Sequence, residues 1–107
     1  MTIFVVNAYE DRKEKYLNDD RYELYPAIWW ENVSDEDVEK YYFRHNANMD
    51  YRRKVVACSE SHKSILMKII KEDLKDTFIL EDDAIIEDWD KLDELKGFQD
   101  FCYIGGL

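Results

Sequence analysis

The chain has little that punctuates a fold: one proline, three glycines and two cysteines in 107 residues. Without such breakers there is no obvious linker, low-complexity tract or internal repeat, and the length suits a single domain spanning residues 1–107. The two cysteines, Cys58 and Cys102, supply neither a C-x-x-C pair nor a Cys/His spacing for zinc, and read as buried, reduced thiols. Long apolar runs are missing too. With no transmembrane segment and no charged-then-apolar leader in view, the expected location is the cytoplasm. Basic charge is scarce: 15 Lys and Arg stand against 25 Asp and Glu, a net charge of −10. That balance opposes contact with nucleic-acid backbones or anionic membranes, yet leaves room for a small phosphorylated ligand whose charge a metal compensates. Apolar residues, at 46%, are enough for a real core, and aromatics, at 15%, suit a compact fold or a stacking surface.

The chain opens on Thr2-Ile3-Phe4-Val5-Val6, a continuous β-branched and aromatic run that reads as a buried strand. A charged, helix-tolerant stretch over 8–18 follows, so Asn7, Asp11 and Arg12 fall where ligands of α/β sheets gather, at a strand's carboxyl end. Arg12 reads equally as a phosphate contact and as part of a solvated helix face. Residues 25–29, around Pro26, read as a short edge strand. Ser34, with Asp37 three residues on, predicts a capped helix running through Tyr41, Tyr42 and Phe43. Residues 45–53 read as a loop, with the triplet Arg52-Arg53-Lys54 either a solvated charge run or an anion contact.

Helical spacing is clear over 55–74, where His62, Ile65, Leu66 and Ile69 recur at i, i+3, i+4 and i+7. That periodicity reads His62 as a hydrogen-bonded core histidine, and Ser59 and Ser61 as caps near the helix start. A strand over 77–80 then runs into Glu81-Asp82-Asp83, a helix over 87–95 ends at Gly97, and Phe101-Cys102-Tyr103-Ile104 predicts a last strand. The alternation of elements points to an α/β layer with at least partly parallel strands.

The acidic triplet is the chemical feature. Strand alternation would put Glu81 and Asp83 on one face, roughly 7 Å apart, and Asp82 with Phe78 and Leu80 on the other. Three adjacent carboxylates repel, and a cation relieves them; hard oxygen donors favour magnesium, manganese or calcium over zinc. A calcium loop is excluded because its sixth position, Ile86, is not glycine. An aspartyl phosphotransfer turn does not fit Ala84-Ile85, and the net charge opposes a nuclease. A divalent ion holding a diphosphate remains.

Several motifs, in order, resemble glycosyltransferase family 25, the lipooligosaccharide-biosynthesis and collagen galactosyltransferase group. Val5-Val6-Asn7 followed by Asp11-Arg12-Lys13 is similar to its first strand and Arg-bearing helix, and Tyr25-Pro26-Ala27 to its second strand. Val56-Ala57-Cys58-Ser59-Glu60-Ser61-His62 resembles its G-C-x-x-S-H segment, with Ala57 in place of the glycine, and Ile79-Leu80-Glu81-Asp82-Asp83 its L-E-D-D. The resemblance implies a Rossmann-like, GT-A-type three-layer α/β sandwich with a mostly parallel sheet, truncated before the acceptor-binding half. It also implies Mn2+ or Mg2+, a UDP-hexose donor and a glycan or other hydroxyl acceptor. On this basis Asp83 is expected as the principal metal ligand with Glu81. Asn7, Arg12, Ser61, His62, Glu81 and Asp82 are expected around the nucleotide-sugar. The catalytic base is not identified. A non-catalytic binding or assembly module, a split transferase awaiting its missing half, and a homo-oligomer are the alternative expectations.

Overall fold

A computed structural model describes residues 1–41, 48–95 and 97. Three strands, β1 (Thr2–Asn7), β2 (Tyr22–Pro26) and β3 (Thr77–Glu81), form an all-parallel sheet in the order β2-β1-β3. The central strand is the apolar opening run, and Ile3, Phe4, Val5 and Val6 are all buried. Burial on both faces explains why that run does not alternate with polar residues. The strand expected at 25–29 lies earlier, over Tyr22–Pro26, in register with β1 from Ile3 opposite Tyr22 to Asn7 opposite Pro26. Pro26 thus sits at the end of an edge strand, where its missing N–H interrupts nothing, and Ala27 N donates to Asn7 O at 2.9 Å.

Between β1 and β2 the expected helix is only a 3-10 turn, Glu10–Arg12, followed by a single turn, α1 (Glu14–Leu17); neither start has a side-chain cap. Helix α2 (Asp35–Glu39) is capped as expected, Ser34 Oγ accepting from Asp37 N at 3.1 Å. It stops short of Tyr41, which folds against the core cluster of Val33, Val38, Val56 and Ala57. Tyr42 and Phe43 lie outside the described residues.

The long helix α3 (Met49–Lys71) begins well before the sequence suggested. Its cap is Asn48, whose side chain accepts from Tyr51 N at 2.8 Å. Arg52, Arg53 and Lys54 are therefore helical, not loop, and Ser59 and Ser61 lie inside the helix and are not caps. The helix closes on Asp73, in the left-handed region at φ 50°, with Leu74 N donating to Ile69 O and Asp73 N to Ile70 O. This is a Schellman ending, sealed by Leu74 packing in the same cluster as Ile69. Helix α4 (Trp89–Asp93) is shorter than the expected 87–95 and is capped by Asp88. The predicted strand at 101–104, Cys102 within it, lies outside the described residues.

One sheet face packs on α3 through Phe4, Val6, Tyr25, Ile79 and Ile65. The other carries an edge-to-face row of Tyr16, Tyr22 and Trp89, which brings α1 and α4 to that side. The result is a small α/β fold with an open parallel sheet. From β1 the chain moves outward to β2, then returns past β1 to β3, so the connections diverge at β1 and β3. A crevice between diverging connections, at the carboxyl ends of the strands, is where open parallel sheets bind ligands. Among the described residues no helix is long and apolar enough to cross a membrane.

Candidate functional site

The cleft at that point has a volume of about 220 Å³. It is bordered by the strand ends (Val6 and Ala8, Ala27 and Ile28, Glu81 to Asp83) and by Lys54, Cys58, Ser61 and His62 of α3. Pockets that enclose a whole small ligand run to roughly 300–1,000 Å³, so this one fits a portion of a ligand, the remainder lying open.

Strand β3 ends at Glu81, and Ala84 N donates to Glu81 O at 3.0 Å, which closes a turn over Asp82 and Asp83. Strand alternation therefore holds only as far as Glu81, and the three carboxylates go to three different environments. Glu81 shares the α3 face with Ile79, and its Oε1 stands 3.6 Å from His62 Nε2 and 3.9 Å from Cys58 Sγ. Asp83 is exposed, and its carboxylate takes no hydrogen bond from the described residues.

Asp82 is 4% exposed and fully engaged. Its Oδ2 accepts from Ala8 N at 2.9 Å, Tyr9 N at 3.0 Å and Asn7 Nδ2 at 3.3 Å, while Oδ1 meets Arg12 NH1 at 3.1 Å. Burial by itself would raise the Asp82 pKa, but the Tyr9 and Ala8 amides and the Arg12 guanidinium outweigh it and hold the carboxyl below its ordinary range. The cation that relieves the centre of the triplet is thus Arg12, supplied by the chain. The same pairing raises the Arg12 pKa. Tyr9 lies under the guanidinium, 4.4 Å from ring centroid to Cζ, and meets Trp29 edge to face at 5.6 Å.

Ser61 is 1% exposed; its Oγ accepts from Ile28 N at 2.8 Å and donates to Ala57 O at 2.7 Å. It fastens the segment after β2 to α3. His62 is not a core residue: its side chain is 34% exposed, at the cleft rim. Cys58 is likewise an exposed free cysteine, not a buried one; partial burial and the neighbouring Glu81 push its thiol pKa up. All the site residues expected from sequence are brought together here. Arg12, Ser61, His62, Glu81, Asp82 and Asp83 line the cleft, and Asn7 reaches it through Asp82.

Sequence reasoning missed Tyr9, Trp29, Trp30 and Cys58, and left Lys54 in an undivided basic triplet. The structure divides that triplet: Arg53 pairs with Asp35 at 2.5 Å and Asp50 at 3.5 Å, whereas Lys54 lines the cleft with its Nζ 5.0 Å from the Trp30 ring centroid. Helical phase from Ser61 and His62 could have singled out Lys54, seven and eight residues earlier, had the helix start been recognised.

No curated protein and no solved structure matches the chain significantly. The model of one family, Glycosyltransferase family 25 (LPS biosynthesis protein), matches residues 3–102. That match runs through every element of the cleft, from β1 to the turn after β3 and beyond. The chain therefore belongs to glycosyltransferase family 25.

Proposed function

We propose that the cleft is the donor site of a metal-dependent glycosyltransferase, binding a UDP-hexose for transfer to a hydroxyl of a glycan or similar acceptor. The observation that supports this most is the exposed carboxylate of Asp83 at the strand-end crevice, which takes no hydrogen bond from the described residues, beside an Asp82 already neutralised by Arg12. A hard divalent ion takes one or two protein carboxylates together with substrate phosphate oxygens, and Asp83, with Glu81 in support, fits that donor set. Bound there, Mn2+ or Mg2+ supplies Lewis-acid neutralisation of the departing diphosphate.

The remaining roles fall to the chain itself. Asp82 and Asn7 hold the loop after β1 against the turn after β3, so the rim is formed before ligand arrives. Ser61 does the same for the segment after β2. Lys54 offers a cation to a phosphate, and Tyr9 and Trp29 offer aromatic surface to a flat base or sugar ring. His62 lines the pocket beside Glu81. A negatively charged protein is a poor partner for nucleic acid, and a reduced Cys58 suits the cytoplasm.

Isothermal titration with UDP and Mn2+ tests the reading. Wild type should bind in a metal-dependent way, and Asp83→Ala should lose on the order of tenfold or more in affinity. No binding by wild type, or equal binding by Asp83→Ala, would overturn it. Release of UDP from UDP-galactose or UDP-glucose then reports turnover.

A further inference from the structure

We propose a second, softer metal site on the cleft wall, made by Cys58 Sγ, His62 Nε2 and a carboxylate oxygen of Glu81, which takes zinc. The three ligand atoms all lie within 4.8 Å of one another. Cys58 and His62, whose spacing the sequence did not mark as a zinc motif, are four residues apart on α3 and so share one helix face. Glu81 reaches them because two-residue periodicity puts it on the α3 side of β3, with Ile79.

The separations suit a single ion. Zinc bonds of roughly 2.0–2.3 Å at tetrahedral angles place neighbouring ligand atoms about 3.3–3.6 Å apart. Two pairs stand at 3.6 Å (His62 to Glu81) and 3.9 Å (Cys58 to Glu81), within a few tenths of an ångström of that spacing, and the Cys58–His62 pair lies within 4.8 Å, so side-chain rotation on α3 completes the closure. All three residues line the cleft. A fourth position facing the cleft would be left to water or a ligand oxygen, the pattern of three-ligand zinc sites. A thiolate and an imidazole select zinc over magnesium or manganese. The site is thus chemically distinct from the Asp83 oxygen site and does not rest on the donor-site reading. Binding displaces the thiol proton of Cys58, so affinity should rise with pH.

The test is titration of the metal-stripped full chain with Co2+, with no nucleotide present. Wild type should take one equivalent and show a thiolate-to-cobalt charge-transfer band, which added Zn2+ abolishes. Cys58→Ser should lose the band while Cys102→Ser keeps it, and far-ultraviolet circular dichroism should show both variants folded. His62→Ala and Glu81→Gln should each weaken Co2+ binding by on the order of tenfold or more, and Asp83→Asn should leave the band unchanged. Absence of the band in wild type, its survival in Cys58→Ser, or its loss in Asp83→Asn would overturn the proposal. Because UDP is left out, failure here is separable from failure of the donor site.

Discussion

Asp82 and Tyr16 show how single side chains make this fold depend on pH. The Asp82 pKa is lowered in the folded chain, because backbone amides and Arg12 outweigh its burial. Its contribution to stability is therefore complete above the unfolded carboxylate value of about 4 and is lost as pH falls through the lowered folded value. Asp82→Asn should cost about 1–3 kcal/mol in urea unfolding at pH 7 and flatten the acid side of the stability profile. Tyr16 acts at the other end of the scale. Its hydroxyl donates to Ala84 O, and burial, followed by Tyr22 and the Asp82 and Asp83 charges, pushes its pKa up to about 12. The stability it adds is complete below the unfolded value of about 10 and is lost as pH rises from there towards the folded one. Tyr16→Phe should cost about 1 kcal/mol at neutral pH and make the alkaline decline shallower, as measured by denaturant midpoints across pH. Neither role was legible in the sequence. Asp82 read as one of three equivalent carboxylates, and Tyr16 as one residue of a charged helix, because their partners lie 68 or more residues away.

At the scale of elements, α3 determines the shape of the site. Its buried residues are Val56, Ala57, Ser61 and Ile65; of the stripe headed by His62, Ile65 is buried and Ile69 packs beside it, but Leu66 is 37% exposed and His62 faces the cleft. Periodicity marked the helix correctly but set its phase about one residue off, because His62 borders a cleft that hydropathy does not register. Ile65 is fully buried between Phe4 and Val6 of the sheet. Ile65→Ala should destabilise by about 2–4 kcal/mol, more than any aliphatic truncation on the exposed side of the helix, as read by thermal or urea unfolding. Ser61→Ala should also be costly, at about 1–3 kcal/mol, because it leaves the Ile28 amide without its acceptor. Looser tethering of that segment should show as faster hydrogen exchange at Ile28 in the same variant.

For the molecule as a whole, the parallel order β2-β1-β3 turns motifs scattered along the chain into one crevice. Residues near positions 7–12, 27–30, 54–62 and 81–83 meet because the first crossover runs outward from β1 to β2 and the second returns past β1 to β3. On the two proposals, metals of different character would compete for one wall, with Glu81 available to both. Zinc bound through Cys58 and His62 would leave Asp83 as the main oxygen donor. Saturating Zn2+ should therefore weaken Mn2+-dependent UDP binding in wild type and have no such effect in Cys58→Ser, as followed by titration calorimetry.

Local pattern alone determined the buried opening strand, the capped start at Ser34, the existence of the long helix, the acidic strand end and, through the ordered motifs, the family. Each of these rests on residues close together in the chain, where propensity, capping and periodicity act. Tertiary structure decided what the acidic triplet does, by ending β3 at Glu81 and turning one carboxylate to α3, one to Arg12 and one to solvent. It also decided that Cys58 and His62 face Glu81 and that Lys54 alone of its triplet reaches the cleft. Those outcomes follow from sheet register and from the packing of α3 on the sheet, and no short stretch of sequence encodes either.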